Sequence, residues 1–201
     1  RAAEARRGGR TTEAVAALGA VLDAWPADPM AHNMLGLIAL EKEHYSDACF
    51  HFAKAAEADP NEAALWMNLA SAQRGNGQAE GERTALQRAI DVDQRNLMAQ
   101  IRMAQLQQRL GERQAAADSW GKVLALTAAM GDIPPALSET LDMARSYVRE
   151  HKAQFAALIE AGVAENLSAA PALGQRRFQA CLDHEFGRRA IYQNHCSGLH
   201  Y

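Results

Sequence analysis

The segment from Pro29 to Asn61 contains two helical patterns joined by a short turn, and it constrains the fold more than any other part of the chain. It reads PMAHNMLGLIALEKEHYSDACFHFAKAAEADPN. Gly36 in the first pattern and Ala48 in the second are small enough to let two antiparallel helices approach closely, while larger side chains fill the space around them. One such pair cannot bury its apolar faces alone, so we expect further copies of it.

The pattern recurs at a period of about 34 residues. One period after Leu35-Gly36 stands Leu69-Ala70, and one period later stands Met103-Ala104. In the other direction, Pro26 stands one period before Pro60. The apolar periodicity predicts helices near 29–41, 45–58, 63–75, 79–92, 97–110 and 113–129. Gly77 and Gly111 are predicted to mark the tight turns inside the third and fourth units.

Residues 1 to about 130 resemble tetratricopeptide repeats (TPR). The resemblance implies an all-α fold, a helix-turn-helix solenoid whose concave face binds a protein or a peptide. The sequence departs from the family pattern at four positions. Ala39 replaces an aromatic residue, Glu82 replaces a small residue, and Gln94 and Ala128 stand where proline is expected.

The N-terminal residues RAAEARRGGR contain no apolar core after the basic residues, so they do not form a signal peptide. Residues 1–7 are predicted to be the tail of a first helix whose beginning is missing. Gly8-Gly9 would end that helix, and Thr11 or Thr12 would cap the next one.

The repeat is lost after Gly131, and one long helix is predicted from Asp132 to about Glu165, with its apolar side chains in steps of three and four. We assign residues 131–167 to this segment. In one interpretation the helix caps the open end of the solenoid, because a terminal unit must cover exposed apolar surface. In the other, residues 135–165 pair with a second copy of the chain or with a second domain.

The remaining segment, 168–201, is predicted to hold a break, a helix around Phe178 and a strand-like run over 188–193. Residues 176–201 resemble the entry segment of bacterial aspartyl/asparaginyl β-hydroxylase-type proteins, in which TPR repeats often precede an oxygenase domain. The matching features are an Arg-Phe helix, the turn of Gly187 to Arg189 and the strand start at Ile191. The resemblance implies a parent protein that uses Fe(II) and 2-oxoglutarate, and it implies no cofactor for this chain.

Composition limits the function classes. The net charge of -3 and the pI near 6.2 argue against general nucleic-acid binding. Three widely spaced cysteines do not form a disulfide framework, so a cytoplasmic setting is the simplest. No apolar run approaches the length of a membrane-spanning helix.

Catalytic residues are not predicted in this chain. His195, Cys196 and His200 are clustered, but their spacing on a loop matches no known finger pattern, so no metal site is predicted. Asp183, His184 and Glu185 are consecutive on a helix and point in different directions. Cys49 is predicted to be a small core residue without a basic partner.

A binding surface is therefore the main functional prediction. In a TPR array the first helix of each pair lines the concave face. The outward residues of these helices are Asn33, Met34, Leu37, Met67, Asn68, Ser71, Arg74, Met98, Ile101, Arg102, Gln105 and Arg109. Polar members could hold a peptide backbone, Arg102 could pair with a carboxylate, and Met and Leu would form an adaptable floor.

Some TPR domains clamp a C-terminal carboxylate with Lys, Asn and Arg. Asn68 and Arg102 match that arrangement, but Asn33 and Met98 replace the lysines, so a true clamp is not expected. The simpler alternative is a wet surface without a ligand, or one that the C-terminal segment of the chain covers. The prediction is thus a TPR scaffold, residues 1–130, that binds a polypeptide as the N-terminal arm of a larger protein. The alternative is the accessory region of a β-hydroxylase.

Overall fold

The computed structural model describes the backbone of residues 2–128, 130 and 133–169, and the side chains of residues 10–128, 130 and 133–158. The chain divides into two compact units, Arg1–His151 and Lys152–Tyr201. The first unit contains the repeats, and the last helix of the described part begins in the first unit and continues into the second.

The described residues form eight α-helices and no strand, as the all-α prediction requires. The helices are α1 (Ala2–Ala24), α2 (Pro29–Glu41), α3 (Tyr45–Ala58), α4 (Ala63–Gly75), α5 (Ala79–Val92), α6 (Leu97–Arg109), α7 (Arg113–Ala128) and α8 (Ser138–Ala169). The predicted bounds of α2 to α5 are confirmed, α6 ends one residue earlier than predicted, and α7 begins at the predicted residue and is described to Ala128. Each helix from α2 to α6 packs against the next one in the chain.

A side-chain oxygen caps the first helix of each described pair: Glu62 caps α4 through the Ala64 amide, and α2 and α6 are capped as follows. The Asp28 carboxylate accepts a hydrogen bond from the Ala31 amide at 2.6 Å, and Pro29 occupies the first helical position. The Asn96 side-chain oxygen accepts from the Ala99 amide at 3.0 Å. Both bonds satisfy amide groups that have no partner within the helix. These caps set the starts of α2 and α6.

The turn within each helix pair contains one residue with positive φ. Gly77 and Gly111 have φ of 70° and 76°, which confirms the predicted turns. Glu43, one period before Gly77, has φ of 59° and is the one non-glycine residue in this conformation in the part of the chain described. The turn between α2 and α3 therefore keeps this geometry even though Glu43 carries a Cβ, which disfavours that conformation.

Large side chains at one repeated position form the centre of each pair. Phe52, Leu86 and Trp120 stand one period apart, and all three are fully buried. A Cβ on Gly36 would lie 2.7 Å from the Phe52 ring. This confirms that Gly36 allows the close approach of α2 and α3.

The N-terminal helix differs from the prediction. Helix α1 runs without interruption from Ala2 to Ala24, so Gly8-Gly9 does not end a helix and Thr11 or Thr12 does not cap one. A glycine inside a helix costs only about 1 kcal/mol relative to alanine. A pair of glycines without a left-handed residue therefore need not interrupt an alanine-rich helix.

The long C-terminal helix begins later than predicted and continues further. Pro134 has ψ of 133° because a residue before proline is excluded from helical geometry, and a short 3₁₀ turn, Pro135–Leu137, follows it. Helix α8 then begins at Ser138 and continues to Ala169, through the first residues of the predicted break. The predicted helix around Phe178 and the strand-like run over 188–193 lie outside the described residues.

The first part of α8 packs on the last repeat. Leu141 and Ala144 are buried in one cluster with Trp120, Val123 and Ile101. This part of α8 therefore caps the repeats, as predicted. In the C-terminal compact unit, Lys152–Tyr201, the Phe155 and Leu158 side chains of the same helix are exposed.

Candidate functional site

The twelve residues predicted for the concave face lie on the first helix of each pair. Three are on α2, four on α4 and five on α6. We call the surface of α2, α4 and α6 that carries them the first-helix face. Its side chains sort into polar groups that bond across the helices, exposed apolar groups and one charged cluster.

Polar side chains connect neighbouring first helices. The Asn68 side-chain amide donates to the Asn33 side-chain oxygen at 2.9 Å, which joins α4 to α2. One guanidinium nitrogen of Arg102 donates to the Ser71 hydroxyl at 2.5 Å and to the Met67 carbonyl oxygen at 3.3 Å, which joins α6 to α4. The Ser71 hydroxyl in turn donates to the Met67 carbonyl oxygen. These bonds hold the three helices side by side.

One predicted residue does not belong to this surface. Ile101 is only 3% exposed and packs in the cluster with Leu141 and Trp120. The prediction that it is available to a ligand is wrong. The reason is that α8 covers this side of α6, whereas the matching position on α4, Met67, is only half-buried.

Apolar side chains on the first-helix face are unusually open. Met34, Leu37 and Met98 are 45%, 44% and 48% exposed. Met67 and Gln105 are half-buried. Exposed apolar groups beside polar ones are typical of a surface that another molecule covers.

Glu82 lies beside the first-helix face, and the sequence prediction did not include it in the candidate site. It belongs to α5, not to a first helix, and its side chain is 4% exposed. Arg109, at the end of α6, donates a hydrogen bond to its carboxylate. The sequence did mark Glu82 as unusual, because the matching positions in the neighbouring units hold the small residues Ala48 and Ala116. That departure from the repeat pattern did not indicate which residue would pair with the carboxylate.

A recess of about 220 Å³ lies beside this ion pair. Its lining residues are Ala70, Ser71, Arg74, Glu82 and Arg102. Burial lowers the pKa of Arg102 below the ordinary arginine value, the charge of Arg74 lowers it further, and the charge of Glu82 has the opposite effect. Two guanidinium groups therefore face one recess and repel each other, and the nearest carboxylate is already bonded to Arg109.

The described part of the chain contains no constellation for metal binding. No group of three histidine, cysteine or acidic residues is close enough to hold a metal ion in that part. Burial raises the pKa of the Cys49 thiol, which opposes thiolate formation and agrees with its prediction as a packing residue. His195, Cys196 and His200, and the sequence Asp183 to Glu185, lie outside the described residues. Among the helices described, none is long and apolar enough to cross a membrane.

Comparison with known proteins now identifies the architecture. Residues 31–62 match the family model of the tetratricopeptide repeat. Residues 31–62 therefore form a TPR repeat, and the described helix pairs have the fold of a TPR solenoid. No curated protein matches the sequence.

Solved structures with this fold include MamA, which is 20% identical over 83% of this chain and 89% of its own, with a TM-score of 0.59. The TPR2B domain of yeast Sti1, in a complex with pHsp70, is 17% identical over 63% of this chain and 97% of its own, with a TM-score of 0.52. The Yersinia enterocolitica chaperone SycD, in complex with a YopD peptide, is 16% identical over 61% and 91%, with a TM-score of 0.53. These identities establish a shared fold only.

Proposed function

We propose that this TPR chain is a binding scaffold that holds an extended polypeptide segment against its first-helix face. The observation that carries the proposal is the combination on α2, α4 and α6 of exposed Met34, Leu37 and Met98 with a cationic cluster at one end. Methionine and leucine side chains adapt to varied apolar partners, and arginine attracts acidic ones. The expected ligand is therefore a peptide that carries both apolar and acidic side chains.

The charges of the surface support this choice of ligand. Arg74, Arg102 and Arg109 lie at the α4 and α6 side, and the carboxylate beside them, Glu82, is buried in its pair with Arg109. An extended segment with acidic residues would be attracted to this region, whereas a basic one would be repelled. Two of the structures with this fold were solved as complexes, that of the Sti1 TPR2B domain with pHsp70 and that of SycD with a peptide of YopD.

The hydrogen bonds across the helices also favour a preformed surface. Asn33 and Asn68 bond each other, and Arg102 is held by Ser71. Side chains that are already ordered lose less conformational entropy when a ligand binds, so more of the contact energy remains as affinity. The polar groups therefore do more than contact water, because they fix the positions against which a peptide would lie.

Selection from a displayed library of random short peptides tests the proposal. We expect enriched peptides with apolar and acidic residues, and we expect Leu37→Glu and Met98→Glu to weaken their binding at least tenfold by fluorescence anisotropy. Both positions are exposed, so the substitutions leave the core intact. The matched control is Met143→Glu, an equally exposed methionine on α8. Selected peptides that bind the three variants and the unmodified protein equally would overturn the proposal.

The other parts of the sequence prediction remain predictions. Residues 176–201, which carry the β-hydroxylase resemblance, lie outside the described part of the chain. The predicted role as the N-terminal arm of an Fe(II)- and 2-oxoglutarate-dependent enzyme, the cytoplasmic location, the lack of a cofactor in this chain, and pairing of two copies through 135–165 are likewise untested.

A further inference from the structure

The recess between α4, α5 and α6 has the chemistry of a site for one anionic group. We infer that Arg74 and Arg102 together bind a single oxyanion of the peptide ligand, either a phosphoryl group or a side-chain carboxylate. This inference rests on the proposed function and names the chemical group that the first-helix face would select. The argument depends on the unmet hydrogen-bonding capacity of the two guanidinium groups, on the charge balance of the recess and on its size.

The first argument is the unused donor capacity. Among the described residues, no hydrogen bond or ion pair involves the side chain of Arg74, although it lines the recess. Arg102 uses one nitrogen, which donates to Ser71 and to the Met67 carbonyl oxygen. An arginine has five N–H donors in a planar fork, so several donors of Arg102 are left for a ligand. Two such forks can grip the oxygens of one phosphoryl or carboxylate group.

The second argument is the charge balance. Three guanidinium groups, of Arg74, Arg102 and Arg109, surround one carboxylate, that of Glu82. Glu82 accepts a hydrogen bond from Arg109 and interacts favourably with Arg102, but its single negative charge offsets only part of the three positive charges. Like charges held this close are unfavourable until an anion lies between them. An anionic ligand would therefore relieve an existing repulsion.

The third argument is the origin of the site. Arg102 stands at a position at which the sequence resembles the TPR carboxylate clamp, whereas Arg74, near the end of α4, does not. Glu82 replaces the usual small residue of α5, and its pair with Arg109 lies against the recess. At the matching positions of the second unit, Leu40 and Ala48 stand in place of Arg74 and Glu82. The recess is therefore particular to the third unit.

The volume of about 220 Å³ suits a small group. It is well below the roughly 300–1,000 Å³ of a pocket that encloses a whole small-molecule ligand. A phosphoryl or carboxylate group at the end of a side chain would enter it, while the rest of the peptide would remain on the first-helix face. Both groups share the oxyanion chemistry, and the experiment below distinguishes them.

The direct test is NMR of the arginine Nε–Hε groups in the folded protein, titrated separately with inorganic phosphate and with acetate at constant ionic strength. We expect the Arg74 and Arg102 signals to shift saturably with at least one of the two anions. Preference for phosphate identifies a phosphoryl site, and preference for acetate identifies a carboxylate site. The Arg88 and Arg149 signals, from exposed arginines on α5 and α8, are the reference for non-specific effects. Equal shifts of all four signals would overturn the inference.

Variants that remove a positive or a negative charge at the recess should change the affinity for the anion in opposite directions. Arg74→Gln with Arg102→Gln should lower the affinity for the preferred anion at least tenfold, whereas Arg88→Gln with Arg149→Gln, which removes the same charge elsewhere, should change it less than twofold. Glu82→Gln should raise the affinity, because it removes the one negative charge at the recess. An unchanged affinity in the first pair, or a lower affinity in Glu82→Gln with an unchanged melting temperature, would contradict the assignment.

The two proposals can fail separately. If selected peptides bind the first-helix face but neither anion is preferred and the Arg74→Gln, Arg102→Gln pair binds them normally, the oxyanion site is wrong and the scaffold proposal stands. If no peptide binds but Arg74 and Arg102 shift with phosphate, the recess is an anion site and the peptide proposal is wrong.

Discussion

The second helix pair, α2–α3, and the third, α4–α5, have the same architecture but differ in residue type at two structurally important positions. At the left-handed turn, the second pair has Glu43 and the third has Gly77. At the small-residue position of the second helix, the second pair has Ala48 and the third has Glu82, and both side chains are buried. The period therefore fixes backbone geometry more strictly than residue type.

Only one of the two unusual residues has a compensating partner. The buried carboxylate of Glu82 is matched by Arg109 from the following first helix. For Glu43 the conformational cost of a Cβ in the left-handed region stays in the folded state. The pairs differ also at their centres, where Gly36 faces Phe52 and Ala70 stands in the pair that contains Leu86. At each of these positions, a substitution can make the second and third pairs more alike or less alike.

The largest expected effect is at the centre of the second pair. Gly36→Ala should lower the free energy of unfolding by about 2–3 kcal/mol, because its Cβ would meet the buried Phe52 ring at 2.7 Å. Urea denaturation measures the change. Adding Phe52→Leu creates the alanine–leucine combination of the third pair and should recover part of the loss. Gly121→Ala, where no atom lies within 4 Å of the new Cβ, should be neutral or stabilising.

The next effect is at the ion pair of the third pair. Arg109→Ala should cost about 1–2 kcal/mol, since it leaves the Glu82 carboxylate buried without its partner, and the partial exposure of Arg109 reduces the penalty. Adding Glu82→Ala, which restores the residue of the second pair, should recover most of the stability. The double-mutant cycle from urea melts reports the coupling. Additive losses would mean that the two residues do not interact.

A smaller effect, of opposite sign, is expected at the turn of the second pair. Glu43→Gly should raise the free energy of unfolding by about 1 kcal/mol, because glycine adopts a φ of 59° without steric cost. The reciprocal change, Gly77→Ala, should lower it by a similar amount. Thermal melts of the two variants check the prediction. A destabilised Glu43→Gly would show that the Glu43 side chain makes a stabilising interaction that outweighs the strain.

The smallest effect concerns pH and the two neighbouring histidines of the second pair. The His32 Nε2–H donates to the Pro26 carbonyl oxygen at 3.0 Å, so His32 Nδ1 accepts from His51 Nδ1–H at 3.1 Å. Burial, followed by the charge of His32, lowers the pKa of His51 from 6.5, and Asp47 opposes this. Because the pKa of His51 is lower in the folded state than its ordinary value of 6.5, stability is complete above that ordinary value, declines as the pH falls from there to the folded-state pKa, and levels off below it.

Melting temperatures between about pH 7.5 and about pH 5 measure this decline. His51→Asn, whose amide can donate in place of Nδ1–H without titrating, should flatten the profile relative to the unmodified protein. The control is His44→Asn, an exposed histidine near Asp47, which should leave the profile unchanged. Equal flattening in both variants would remove His51 as the source.

The sequence predicted the repeats well because their signals are local. Gly36, Gly77 and the spacing of the apolar residues depend on contacts within one helix pair, and these recur at every period. It failed where the outcome depends on energetic balance or on distant partners. Helix α1 continues through Gly8-Gly9 because the low helix propensity of two glycines does not outweigh the stability of the surrounding helix. Helix α8 begins later than predicted because Pro135 sterically excludes Pro134 from helical geometry.

The positions of the residues on the first-helix face were predicted in outline and not in detail, and their role in binding stays a prediction. Eleven of the twelve predicted residues lie on the first-helix face with their side chains at least partly exposed, whereas Ile101 is covered by α8. The recess depends on Glu82 from a second helix, and the helical phase of the first helices contains no information about that residue. Arg109 and Glu82 are 27 residues apart in the sequence, and their contact can be identified only from the packed helices.

The most direct test of peptide binding at the first-helix face is methyl NMR of the protein labelled at methionine, with a selected peptide added. The account predicts shifts of the Met34, Met67 and Met98 methyl groups, on α2, α4 and α6, and unchanged signals from Met130 and Met143. Shifts confined to Met130 or Met143, with the three first-helix methionines unaffected, would place the ligand elsewhere and contradict the proposal.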